Sequence, residues 1–111
     1  MNVNSSLSNF RVYRLSVEFH RECREYRLPA YLKNQLLRAA SSISLNLCEG
    51  CAKPPGSRDR LRFYTISLGS LRESQAVLEL APQPNPRLKR LADQLGGGLY
   101  RLCYPKLPVS R

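Results

Sequence analysis

No apolar run in this 111-residue chain approaches the ~20 residues that a helix needs to span a membrane. The opening segment, MNVNSSLSNF, lacks the basic start and apolar stretch of a secretory signal, so a cytoplasmic location is expected. The four cysteines are then expected as reduced thiols and not as a disulfide framework. Nothing alternates with period two for long enough to make a convincing sheet, and no internal repeat is present. Histidine occurs once. His20 sits in an Arg- and Glu-rich segment and reads as a solvated side chain, not a general base. No serine lies in a nucleophile elbow, and no glycine loop precedes a helix carrying a Lys-Ser or Lys-Thr pair. Cys48 and Cys51 have the spacing of a metal or redox pair, but no second close pair of ligands completes a zinc site. The expectation is a protein that is not an enzyme and holds no metal and no cofactor.

Acidic residues are also scarce. Eight Asp and Glu stand against 18 Lys and Arg, a formal net charge of +10. Most of the cations are arginine, whose planar fork bonds two phosphate oxygens at once. Such an excess in a small chain points to a polyanionic partner, RNA or DNA. The charge is uneven. Lys53, Arg58, Arg60 and Arg62 cluster in one loop and helix start, where backbone amides and the helix dipole add to the pull on phosphate. Arg87, Lys89 and Arg90 form a second basic group near the C-terminal end. These seven residues are the candidate nucleic-acid contacts. A chain of this kind could instead serve as a protein-interaction scaffold, with charge only steering the encounter.

Proline and glycine divide the sequence into four helical segments, over about 8–26, 30–50, 57–81 and 86–104. One domain, residues 1–111, is expected, folded as an all-α, antiparallel up-down four-helix bundle with a short mobile tail after Pro105. Leu28-Pro29 ends the first segment, and Gly50 suits a C-terminal cap of the second. Ser57 and Asn85 can cap the third and fourth. Leu61, Tyr64, Leu68, Leu71, Gln75 and Leu78 alternate steps of three and four, a coiled-coil-like seam. Gly69 sits mid-helix, where a close approach by another backbone would explain it. Gly96, Gly97 and Gly98 either break the last helix or are rescued by packing.

The second segment carries two stripes. Leu32, Leu36, Ala39, Ile43 and Leu47 form an apolar face. Gln35, Arg38, Ser42, Asn46 and Glu49 recur at the same spacing beside it. This polar ladder reads as an internal hydrogen-bond network, with Arg38 paired to Glu49 or to Glu73, although a binding cleft would use the same residues. In the first segment Val12, Leu15 and Phe19 make one apolar stripe, and Phe10, Tyr13 and Val17 make another nearly opposite. The second stripe is the expected contact in a homo-oligomer.

The combined pattern Leu28-Pro29, Gln35, Arg38-Ala39, Ser42-Ile43, Asn46, Glu49-Gly50 and, later, Gly69-Ser70 with Glu73 resembles the bacterial four-helix-bundle proteins related to the 23S rRNA intervening-sequence proteins. The resemblance runs from roughly Val12 to Ala81 and implies an antiparallel bundle that assembles into pentamers. A related branch comprises the accessory proteins of diversity-generating retroelements. It implies nucleic acid and a reverse transcriptase as possible partners.

Overall fold

Prolines and polar caps cut the chain into α1 (Leu7–Glu25), α2 (Ala30–Cys51), α3 (Arg58–Leu80) and α4 (Pro86–Cys103). They are seen in a computed structural model that describes residues 7–105, with side chains from residue 11. The expected tail beyond Pro105 therefore lies outside the described residues. The fold is an all-α four-helix bundle. Each helix packs on its two neighbours in the order α1, α2, α3, α4 and back to α1. Cross-helix contacts fix the antiparallel sense. Ser16 bonds Ser44 at 2.8 Å, while His20, one turn on in α1, meets Ser41, earlier in α2, at 3.2 Å.

The helix ends follow from where orphan backbone groups find partners. Ser57 Oγ accepts from the Arg60 amide, and Asn85 Oδ1 accepts from the Leu88 amide, each at 3.1 Å. Lys33 Nζ donates to the Arg24 carbonyl at 2.8 Å and to that of Tyr26, closing the end of α1. Gly56 turns the α2–α3 loop with a φ of 77°, the left-handed region that favours glycine.

Phe19, Leu36, Ile43, Leu47, Leu71 and Leu88 are fully buried in one core. Burying each such side chain contributes about 1.5–3 kcal/mol. The α3 seam differs from the leucine pattern expected of it. Its buried line is Tyr64, Ser67, Leu71, Ser74 and Val77, while Leu61 is exposed. Serines occupy the side toward α2 because they let the two helices approach and still satisfy their hydroxyls. Ser67 donates to the Ile43 carbonyl and Ser74 to that of Ser70.

The glycines also take places that spacing did not settle. Gly50 is not the C-cap of α2, a position held by Ala52. A Cβ on Gly50 would stand 2.6 Å from the Tyr64 ring, so the glycine lets α3 close onto α2. Helix α4 runs unbroken through its three glycines. Two of them lie against neighbours, since a Cβ would come 3.0 Å from Leu71 at Gly96 and 2.8 Å from Val12 at Gly98. Gly69 is the reverse of the expectation: its own helix backbone aside, no described atom lies within 4 Å of where its Cβ would be.

Candidate nucleic-acid interface

The up-down order puts the end of α2, the start of α3 and the end of α4 at one end of the bundle. Arg58 and Arg101 line a shared pocket there of about 440 Å³, floored by Tyr64 and Cys103. Arg101 also lines a cleft of about 740 Å³ between α1 and α4, together with Arg11. Lys53 and Arg62 lie over the Phe63 ring, 5.5 and 4.7 Å from its centroid, which orients both cations. Arg62 is also 3.6 Å from Asp59, but both are exposed and such a pair contributes little. Arg11, Arg58, Arg62 and Arg101 are exposed. This end thus offers several guanidinium forks to phosphate at once.

Arg60, expected among the phosphate contacts, also lines the pocket of Arg58 and Arg101, but its donors are turned to the end of α2. Its Nε donates to the carbonyls of Gly50 and Lys53, both at 3.1 Å, and its Nη2 to that of Cys51 at 3.0 Å. The last carbonyls of α2 lack intrahelical donors, and the 52–57 loop brings Arg60 back over them. The second basic group is divided as well. Arg87 pairs with Glu22 at 3.2 Å and Glu18 at 3.4 Å, and Lys89 lies 4.0 Å from Glu79. The start of α4 runs beside the acidic residues of α1 and α3, so much of its charge is answered within the bundle. Arg90 remains exposed.

A family model described as 23S rRNA-intervening sequence protein matches residues 5–93. The chain belongs to that family. No curated protein and no solved structure matches it. The family match ends before Gly96, so Arg101 and the glycines of α4 lie beyond it.

The polar ladder lies within the matched residues, and the structure joins only its middle. Asn46 Nδ2 donates to the Ser42 carbonyl at 2.9 Å and to its hydroxyl at 3.0 Å, and Ser70 donates to Ser42 Oγ at 2.7 Å. Gln35, Arg38, Glu49 and Glu73 are exposed. Among the described residues Arg38 pairs with neither Glu49 nor Glu73, and all three stand on the outer side of the α2–α3 seam. Two residues of the expected oligomer stripe are described. Tyr13 and Val17 are half-buried, and Tyr13 packs against the core. The Phe10 side chain lies outside the described part. His20 is not simply solvated: it is half-buried against Ser41, and desolvation, then the nearby Arg24 charge, lowers its pKa.

All four cysteines are free thiols. Cys48 is exposed and Cys51 lies 3.5 Å from the Tyr64 hydroxyl. Burial pushes the Cys23 thiol up to about 12 and raises that of Cys103. Among the described residues, no three His, Cys, Asp or Glu side chains come together as a metal site, and no helix is long and apolar enough to cross a membrane.

Spacing along the chain does not find Arg11 and Arg101 as partners of Arg58. Topology does, since in an up-down bundle the starts of α1 and α3 share an end with the close of α4.

Proposed function

We propose that this member of the 23S rRNA-intervening sequence family is a non-enzymatic, self-associating nucleic-acid-binding accessory protein, working in the cytoplasm. The observation that carries the reading is the convergence of Arg58 and Arg101 on one pocket, beside Arg62 and Lys53 held over Phe63. Binding through such groups is electrostatic and largely independent of base sequence, because phosphate contacts position a nucleic acid without reading it. Repetition of the basic end around a homo-oligomer, a pentamer by family resemblance, would add weak contacts into useful avidity. The same resemblance supplies two settings, an rRNA insertion or a retroelement with a reverse transcriptase as protein partner. The genes beside this one distinguish them.

The test replaces Arg58, Arg62 and Arg101 with Gln and measures RNA and DNA binding at two salt concentrations. The triple variant is expected to bind more weakly to every sequence. Its log–log salt slope should be shallower by about 0.9 for each phosphate that it no longer neutralises. Replacing Arg87 and Lys89, whose charges are answered by glutamates, should change binding far less. Wild-type affinity and slope in the folded triple variant would reduce this end to a solvated surface and favour the protein-scaffold alternative.

A further inference from the structure

Two aromatic side chains at the close of α4 take no part in the core. Tyr100 is 51% exposed and Tyr104 is 58% exposed, and neither packs against the buried cluster. Four residues apart, they share a side of the helix. The Tyr104 amide donates to the Tyr100 carbonyl at 2.8 Å, so the last turn carries the second ring beside the first. The ring centroids stand 4.8 Å apart with the planes tilted by 44°. Two rings in contact make one continuous platform, larger than a lone surface tyrosine offers.

Cations flank the platform. Tyr100 and Arg101 line a groove of about 300 Å³ between α3 and α4, with Arg72 on the α3 side. Gln75 Oε1 accepts from Arg72 Nη1 at 2.9 Å, which holds that guanidinium at the groove. Asp93 lines the far end, two turns of α4 from Tyr100. Gly97 also lies along the groove, and packing does not explain it as it explains Gly96 and Gly98: a Cβ there would meet only the tip of Arg101. Its bare backbone keeps the groove open beside Tyr100. Arg101 in turn lines the pocket that it shares with Arg58, so the rings adjoin the basic end. Phosphate alone accounts for the arginines but not for the rings. A nucleotide has both parts, an anion for the guanidinium fork and a flat base for a ring. In a duplex the base faces are stacked on one another, whereas an unpaired strand presents them.

We propose that Tyr100 and Tyr104 stack unpaired bases of RNA or DNA while Arg101 holds the adjoining phosphate, so that a single strand gains an affinity that a duplex does not. The inference rests on the phosphate-binding end in the proposed function and names the form of nucleic acid which that end takes. Stacking tolerates any base, so it adds no sequence preference.

The test is fluorescence anisotropy with three probes of equal length: an unstructured single strand, the same strand without its bases, and a duplex. The first two carry the same phosphates. Each is offered as RNA and as DNA, since a ring face stacks either. Wild type is expected to bind the base-bearing strand about tenfold more tightly than the abasic strand. The Tyr100→Ala, Tyr104→Ala double variant should lose that gain, while its affinity for the abasic strand and the duplex, and its salt slope, stay those of wild type. Tyr100→Phe with Tyr104→Phe keeps both rings and should keep the gain. Arg101→Gln should weaken both single strands alike and make the slope shallower. Circular dichroism checks folding, and the wild-type comparison needs no variant. If wild type binds the base-bearing and abasic strands equally, or if the folded alanine variant keeps the gain, the stacking site is overturned while the phosphate-binding end stands. Rings that anchor a protein partner instead would give that same result. Wild type that binds neither strand overturns the phosphate-binding end, and the stacking site with it.

Discussion

At Gly98 a Cβ would stand 2.8 Å from a methyl of Val12, whereas at Gly97 it would meet only the tip of Arg101, at 3.6 Å. The two residues are adjacent in α4 and carry the same intrinsic helix penalty. Gly97→Ala should therefore stabilise the protein by up to about 1 kcal/mol, as alanine is the better helix former. Gly98→Ala should destabilise it by about 1–3 kcal/mol, because the core between α1 and α4 must move to admit the methyl. Urea denaturation of the pair decides the matter, and equal shifts in the same direction would refute the packing account. Arg60 and Arg58 make a second contrast. Arg60→Ala removes three bonds to the carbonyls that end α2 and should cost roughly 1–3 kcal/mol. It should leave salt-dependent RNA binding nearly unchanged. Arg58→Ala, at an exposed site, should alter stability by less than about 0.5 kcal/mol and weaken binding instead.

Between helices, hydroxyl contacts line both sides of α2: Ser44 and Ser41 toward α1, and Ser42 toward α3. His20 is the titratable member. Its pKa is lowered in the fold, so the unfolded chain takes up the proton first as pH falls below the ordinary 6.5. Stability from the neutral ring is complete above that pH and declines below it, until the folded form also protonates. The melting temperature of wild type should thus fall more than that of His20→Gln between about pH 7 and pH 5. Parallel curves would remove His20 from the account. Much of this architecture is legible in the sequence because burial repeats with the helix: Leu32, Leu36, Ile43 and Leu47 mark the core side of α2, and Ser57 and Asn85 mark caps. The buried Ser67 and Ser74 are not legible, since a small hydroxyl suits a surface as well as a tight helix contact. Nor does the sequence separate Arg60 from Arg58 and Arg62. That depends on the loop that folds Arg60 over the end of α2. The polar ladder is recognisable by spacing, but its outer members and inner members differ only once α3 is laid beside it.

Across the whole molecule, the basic end and the outer α2–α3 face are different surfaces, so binding can be assigned to one of them. Arg58 and Arg101 belong to the end, Leu45 and Arg38 belong to the face, and Arg62 stands where the two adjoin. A single basic end reaches few phosphates, and its hold on each is weakened by salt. Joining copies in an oligomer would set several ends on one strand at high effective concentration. An oligonucleotide too short to reach two copies should then bind wild type at least about tenfold more weakly than a long RNA and with a shallower salt slope, because fewer ends engage it together. Leu45→Glu, on the face, should bind the short oligonucleotide as tightly as wild type. A double Gln variant of Arg58 and Arg101 should lose affinity for both lengths while remaining assembled. Fluorescence anisotropy with both lengths, run beside light scattering on the same samples, separates these cases. Loss on the short oligonucleotide in Leu45→Glu would mean that the face itself touches nucleic acid, and the confinement of binding to the basic end would fail.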